Sequence, residues 1–218
     1  MPSSNRRANL LDHNAGHWEG SFIRLDGQGL ESERFGTRLH VQELDGQIEA
    51  ALTYLNTGKV ATMRFVDPPD LMTISPEGHW SLGPDKTGPW PAVMELCLVD
   101  GERRRRVVVR HGAERLESVV VVVEARPGVA DPAPAQPLRA VLVEGDEAPA
   151  SCSWQLTADL TLTTALERRF GDPLAVKLCW QPEPGRRLVI ERGYGANGLP
   201  QAQPAVLARL DHLGPKPW

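Results

Sequence analysis

The chain has 218 residues, 24% of them charged, and a formal net charge of −4 at pH 7. This length is sufficient for one large or two small domains, and the composition is that of an ordinary soluble globular protein. The acidic balance and the lack of a long basic stripe predict that nucleic acid is not a partner. We expect no membrane span, because no stretch approaches the roughly 18 apolar residues that one requires.

The cysteines and the first residues predict a cytoplasmic protein. Residues 1–11 lack the apolar segment of a secretory signal. The three cysteines, Cys97, Cys152 and Cys179, are far apart and odd in number. This pattern is typical of a reducing compartment, and the apolar segments around each cysteine predict buried, unpaired thiols.

A short helix is expected over residues 5–15, followed by a first strand that begins at Gly16. Because side chains alternate along a strand, Trp18, Phe22 and Arg24 fall on one face. Trp18 then either closes the mouth of a small barrel or is an ordinary core residue. An inward-facing Arg24 needs a carboxylate or a ligand as its partner, whereas an Arg24 near the strand end lies in water.

About eight short strands are predicted up to residue 125, with turns every 8–12 residues and no amphipathic helix between them. Asp45-Gly46 and Asp100-Gly101 are strong hairpin signals. The run Arg103–Arg106 lies within a strand, so its side chains alternate between faces, and we expect a charged outer or edge strand there. The pattern predicts an antiparallel barrel or sandwich, and a barrel of eight strands is either packed or holds one small ligand.

The composition changes at residues 126–137, which are rich in proline and alanine and predict a stiff, extended linker. Some six further strands are predicted after it, the last of them a strand or short helix near the C-terminus. We therefore expect two domains, residues 1–125 and residues 138–218, joined by this linker.

The sequence contains no catalytic set that we can identify, and none of the six histidines has a second ligand at a strong metal spacing. His111 is placed at a hairpin tip, where exposure is expected. Tryptophans in or beside strands can line an apolar pocket with a polar N–H at its edge. The candidate ligand-binding residues are Trp18, Phe22, Arg24, Trp80 and Trp90, and the alternative for each tryptophan is a place in a barrel core.

The run from Asn14 to Phe22 carries a family resemblance. Its Gly16-His17-Trp18 is similar to the Gly-x-Trp of the lipocalin (calycin) superfamily. The whole run resembles the N-terminal domain of a lipocalin-like family of cyanobacteria and chloroplasts, formerly of unknown function, which includes a chloroplast biogenesis factor required for ATP synthase. Residues 186–194 resemble the last hairpin of that family's C-terminal domain. Residues 153–162 are loosely similar to a strand pair of the phycocyanin-lyase-type bilin lyases.

The resemblance implies an all-β protein with an antiparallel lipocalin-like β-barrel followed by a second, smaller barrel-like module. It implies a non-enzymatic binding or assembly protein, with ATP synthase head subunits as its partners. The alternative is a bilin lyase that acts on a phycobiliprotein, or a carrier of a chromophore or lipid. No cofactor is required by the first function; a bilin, a carotenoid or a fatty acid is the small hydrophobic ligand that the alternatives imply. No catalytic residue is carried over from either family.

Overall fold

The computed structural model describes residues 5–143 and 151–202, and the backbone of residues 209–210. The described part of the chain is almost entirely β-structure, with one short helix, which confirms the predicted fold class. The helix is too short to cross a membrane. The elements are α1 (Arg6–Asn14), β1 (Gly16–Asp26), β2 (Glu31–Leu44), β3 (Gln47–Tyr54), β4 (Val60–Phe65), β5 (Thr73–Ile74), β6 (Trp80–Leu82), β7 (Ala92–Asp100), β8 (Arg103–His111), β9 (Leu116–Ala125), β10 (Val141–Val143), β11 (Ser151–Thr157), β12 (Leu160–Ala165), β13 (Leu174–Glu183), β14 (Arg186–Tyr194) and β15 (Arg209–Leu210).

The first nine strands form one antiparallel sheet in the order β4-β3-β2-β1-β9-β8-β7-β6-β5. Short turns join most neighbours, and Asp45 and Gly46 both have positive φ, 51° and 76°, between β2 and β3. Two consecutive residues with positive φ form the turn whose twist matches a hairpin, which explains the Asp-Gly signal. The last six strands form a second sheet in the order β10-β11-β12-β13-β14-β15.

The first sheet is curled into a half-barrel around a cluster of apolar side chains. Trp18 and Ile48 come from one half of the sheet, Trp80 and Cys97 come from the other half, and Leu10 of α1 joins them. Since residues from both halves meet on one side, the sheet curves around that side, which we call the concave face. Helix α1 packs against this cluster at one end of the half-barrel.

The opposite face of the first sheet packs against the second sheet. The shared core contains Leu25, Leu98 and Val121 from the first sheet and Leu162 and Leu178 from the second. A layer of apolar side chains shared by two sheets stabilises both of them at once. The division into two domains at residues 126–137 stays a prediction, and the part of the second domain beyond residue 202 falls largely outside the described residues.

Three detailed expectations are corrected by the structure. β8 is a central strand between β9 and β7, not an edge strand, and its arginines are largely buried because carboxylates from neighbouring segments pair with them. His111 is fully buried, since its side chain points into the layer between the sheets. Cys97 is buried as expected, whereas Cys152 and Cys179 are only half-buried; all three are free thiols.

The shared core predicts that the two sheets unfold together. Leu178→Ala, in the second sheet, removes a fully buried side chain and should lower the free energy of unfolding by about 2–5 kcal/mol. Hydrogen-exchange mass spectrometry should then show faster exchange in β8 and β9 as well as in β13. Leu142→Ala, at a position 61% exposed in the same sheet, is the control and should have little effect. Loss of protection confined to the second sheet would contradict this prediction.

Candidate functional site

The concave face of the first sheet carries aromatic and charged side chains in addition to its apolar cluster. Trp18, Phe22 and Arg24 alternate onto this face along β1, as predicted. Cross-strand pairing adds further residues: Phe22 lies opposite Phe35 on β2 and opposite Val122 on β9. The face is therefore a grid of side chains whose rows run across the strands.

Trp18 forms the floor of the concave face. Its ring is fully buried, and the guanidinium carbons of Arg104 and Arg126 lie 4.3 Å and 3.8 Å from the ring centroid. Its indole N–H donates to the carbonyl of Asn14 at 2.9 Å. The Asn14 side-chain oxygen accepts from the indole of Trp80 at 3.3 Å and from Arg104 at 3.4 Å. Asn14, at the end of α1, thus connects both tryptophans and the arginine.

Two glycines permit this packing. Gly16 has a φ of +99°, a backbone conformation that side chains disfavour, and a Cβ there would lie 2.8 Å from the Arg126 guanidinium. At Gly20 a Cβ would lie 2.2 Å from the Val123 carbonyl oxygen and 2.6 Å from the Glu124 side chain. The glycine of the Gly-x-Trp motif therefore makes room for Arg126, and Gly20 makes room for Glu124.

A buried charge network extends from this floor along β8 and β9. Glu124 accepts from Nε of Arg104 at 2.7 Å and from Nε of Arg106 at 2.9 Å, and Arg106 also donates to Glu95 at 2.7 Å. Burial alone raises the pKa of Glu124, but the two guanidiniums outweigh it and hold this pKa at about 2. Burial opposes the charge on Arg106 as well, yet Glu124 and Glu95 raise its pKa. Glu124 and Arg106 are therefore both ionised at neutral pH.

Three aromatic rings contact one another on the concave face. Phe22 and Phe35 are stacked with ring centroids 4.7 Å apart, and Tyr54 lies 5.6 Å from Phe35. All three rings are only partly buried. Arg24 lies over Phe22 at 5.9 Å and pairs with Glu33 at 3.2 Å, with both charged side chains nearly half exposed. Arg24 thus has the carboxylate partner that an inward-facing arginine requires.

A buried hydroxyl in this grid has no partner. Thr37 lies in one row with Gly20 and opposite Tyr54, and its side chain is 1% exposed. Its Oγ1 makes no hydrogen bond within the described part of the chain. One of the terminal guanidinium nitrogens of Arg104, Nη2, is also buried and unpaired there. Native structures contain few such atoms, and each calls for an explanation.

The structure brings together four of the five candidate residues. Trp18, Phe22, Arg24 and Trp80 share the concave face, with Trp18 and Trp80 in its apolar cluster. Trp90 lies elsewhere: its ring is half-exposed, and its carbonyl accepts from Arg168, which lines an open cavity between the two sheets. Whether any of them binds a ligand stays a prediction.

The cavity beside Trp90 has a volume of about 1070 Å³. It is lined by the loop after β8, the start of β11, the segment after β12 and Pro89. Cys152 contributes its thiol, whose pKa burial raises to about 11. A thiol with so high a pKa is almost entirely protonated at neutral pH and is a poor nucleophile.

Three buried titratable side chains on or beside the first sheet have pKa values far from neutral pH. Burial raises the pKa of the Cys97 thiol to about 12 and lowers the pKa of His79 to about 4. Burial also lowers the pKa of His111 to about 4, and its Nε2 lies 3.1 Å from the carbonyl of Ala165. No group of three or more metal-binding side chains occurs among the described residues.

Sequence reasoning missed Glu124, Arg104, Arg106 and Thr37 as residues of this face. A usable signal existed for the first three. The Asp100-Gly101 hairpin and strand alternation place Arg104 and Arg106 on one side, and a glutamate that ends a run of five valines indicates a buried acid with a basic partner. No local signal singles out Thr37, because its environment depends on pairing between distant strands.

Loss of the buried Glu124 carboxylate should destabilise the protein more than loss of a half-exposed carboxylate. Glu124→Gln leaves two buried arginines without their shared carboxylate and should cost about 3–5 kcal/mol of unfolding free energy. Glu33→Gln breaks the half-exposed pair with Arg24 and should cost less than about 1 kcal/mol. Urea denaturation at pH 7 measures both. Equal losses in the two variants would contradict a dominant role for Glu124.

The two buried histidines predict acid sensitivity. The unfolded chain protonates them near pH 6.5, whereas the folded protein does so only near pH 4. The two histidines therefore cost no stability above pH 6.5, and the free energy of unfolding falls as the pH drops from 6.5 towards 4. His111→Gln, which keeps a side-chain N–H for the Ala165 carbonyl, should reduce the loss between pH 7 and pH 4.5 in urea denaturation. The assignment is refuted if His111→Gln loses as much stability between pH 7 and pH 4.5 as the unmodified protein does.

Comparison with known proteins adds a family and a similar fold. The profile of the "Domain of unknown function (DUF3598), N-terminal" matches residues 3–129. A crystal structure of a DUF3598 protein of unknown function from Nostoc punctiforme PCC 73102 is similar, with a TM-score of 0.77 and 18% sequence identity, over 90% of this chain and 96% of that one. At this identity the likeness shows the fold alone. No curated protein matches significantly.

These matches confirm the predicted resemblance as far as a family of unknown function with a cyanobacterial member. The relationships to lipocalins, to the ATP synthase factor and to bilin lyases stay predictions. Because the matching profile spans more than half of the sequence, the chain belongs to the DUF3598 family.

Proposed function

We propose that the protein is a non-enzymatic binding protein that holds a small amphipathic ligand on its concave face. The partly exposed rings of Phe22, Phe35 and Tyr54 offer an apolar surface for the body of such a ligand. Arg106 lies in the same row as Phe22, with Val122 between them, and donates to Glu95. Ligand sites are commonly apolar surfaces with a few well-placed polar groups.

The observation that carries this proposal is the Thr37 hydroxyl. It is buried without a partner in the described part of the chain, and it lies in the same row as Tyr54 and next to the glycine at position 20. A ligand oxygen that bonds to this hydroxyl would remove the cost of burying it unpaired. Of the ligands implied by the resemblance, a bilin or a fatty acid carries such oxygens, whereas a hydrocarbon carotenoid does not.

Binding is tested with purified protein mixed separately with biliverdin, linoleate and β-carotene, followed by gel filtration and titration. Thr37→Val should leave the stability of the free protein unchanged or higher, because it removes an unpaired buried hydroxyl. The same variant should weaken biliverdin or linoleate binding by about tenfold, the equivalent of one hydrogen bond of about 1.4 kcal/mol.

The matched control is Thr53→Val, since Thr53 pairs with the exposed Arg38 on the other face of the sheet. It should bind each ligand as the unmodified protein does. The proposal fails if none of the three ligands is retained, or if Thr37→Val binds as tightly as the control. Retention of biliverdin followed by its covalent transfer to a phycobiliprotein would change the assignment to the bilin lyase function.

A second function, partner binding in ATP synthase assembly, is favoured by the edge of the first sheet. Among the described strands, β4 has a neighbour on one side only, and its Met63 and Val60 are 65% and 54% exposed. Another chain can add a strand to an open edge of this kind. Immobilised protein should capture purified ATP synthase head subunits, and Met63→Lys should abolish capture while Leu199→Lys, at an exposed residue away from β4, should not. This function is excluded if the unmodified protein captures no subunit.

A further inference from the structure

The cavity between the two sheets contains a buried charge that the concave face does not use. Arg168 follows β12, is 7% exposed and lines both the cavity of about 1070 Å³ and an adjoining cavity of about 120 Å³. A guanidinium keeps its positive charge in any protein environment, so its burial requires compensation.

Backbone carbonyls provide part of that compensation. Nε of Arg168 donates to the carbonyl of Ala113 at 3.2 Å, and Nη2 donates to the carbonyls of Gly88 at 2.5 Å and Trp90 at 2.8 Å. These bonds hold the guanidinium in a fixed position between the loop before β7 and the loop after β8. A guanidinium fixed in this way is preorganised, and little conformational freedom is lost when a further group bonds to it.

None of the described groups that bond to the Arg168 guanidinium carries a negative charge. Within the described part of the chain no carboxylate lies within 4 Å of the Arg168 guanidinium, and its third nitrogen, Nη1, bonds to no described residue. Burial lowers the pKa of Arg168. β8 differs, since carboxylates pair with its buried Arg104 and Arg105.

The other side chains of the cavity define what else a ligand would contact. Leu166, Pro89 and Phe170, whose side chain is 76% exposed, supply apolar surface. Asp172 also lines the cavity, but its carboxylate accepts from the backbone N–H of Arg169 at 2.8 Å. Glu114 and Glu167 are exposed, so solvent and salt screen their repulsion of an anion. The volume lies at the upper end of the range for small-molecule sites.

We propose that this cavity binds an organic carboxylate with an aromatic or aliphatic body, and that the carboxylate bonds to Arg168. Its apolar body lies against Phe170 and Leu166. The inference is independent of the ligand on the concave face, because the two sites lie on opposite faces of the first sheet.

The test compares 2-naphthoate with 2-naphthamide, which share an apolar body and differ in charge. Naphthoate should bind the full chain about tenfold more tightly, because its carboxylate forms charge-assisted hydrogen bonds to the guanidinium that the neutral amide cannot form. It should also shift the Nε–Hε NMR signal of Arg168, whereas naphthamide should not. Equal affinities, or binding of naphthoate that leaves this signal unmoved, would overturn the proposal.

Variants then test whether Arg168 is the residue that binds the carboxylate. Arg168→Lys keeps a positive charge but not the planar fork, and it should lose most of the preference for naphthoate. Arg169→Gln removes an exposed arginine from the same cavity wall and should keep the preference. If Arg168→Lys does not fold, Phe170→Ala, at an exposed position, should weaken both probes equally and leave their ratio unchanged. A preference that disappears in Arg169→Gln, or a ratio changed by Phe170→Ala, would refute the assignment to Arg168.

Discussion

The shared carboxylate of Glu124 is the interaction on which the concave face depends. Arg104 and Arg106 project from a central strand to the inside of a curled sheet, where two uncompensated guanidiniums would prevent close packing. Glu124 neutralises both through short hydrogen bonds, and Arg104 is thereby held over the ring of Trp18. The floor of the half-barrel is therefore fixed by electrostatics as much as by apolar contact.

The first sheet has two buried surfaces with different properties. One packs on the second sheet through branched aliphatic side chains, and this layer is closely packed apart from the cavity lined by the loop after β8 and the segment after β12. The other combines an apolar cluster at the helix end with half-exposed rings and charges further along. The packed layer makes the sheet rigid, and a rigid sheet can hold partly exposed side chains on its other face in fixed positions.

Local features of the sequence were sufficient to predict most of the fold. The Asp-Gly turns predicted the hairpins, and alternation placed Trp18, Phe22 and Arg24 on one face. Along the chain, the proline-rich stretch lies after the last strand of the first sheet and before the first strand of the second. Placements that depend on contacts between distant segments were not predictable. His111 was expected at an exposed hairpin tip, but its ring lies beneath the end of β12, and nothing near it in sequence indicates that cover.

Two buried arginines, Arg168 and Arg192, lack a carboxylate partner among the described residues, and they differ in whether they border a cavity. Arg192 also has none within 4 Å among the described residues, but its Nε donates to the hydroxyl of Tyr194 at 2.8 Å and its Nη1 lies 3.5 Å from the carbonyl of Ser81. It lines neither of the two cavities described above. Its charge is dispersed among closed, polar contacts, as in a structural arginine. Arg168 instead lines both cavities, and its Nη1 bonds to no described residue. An anion in the larger cavity therefore has access to Arg168, whereas Arg192 borders neither cavity.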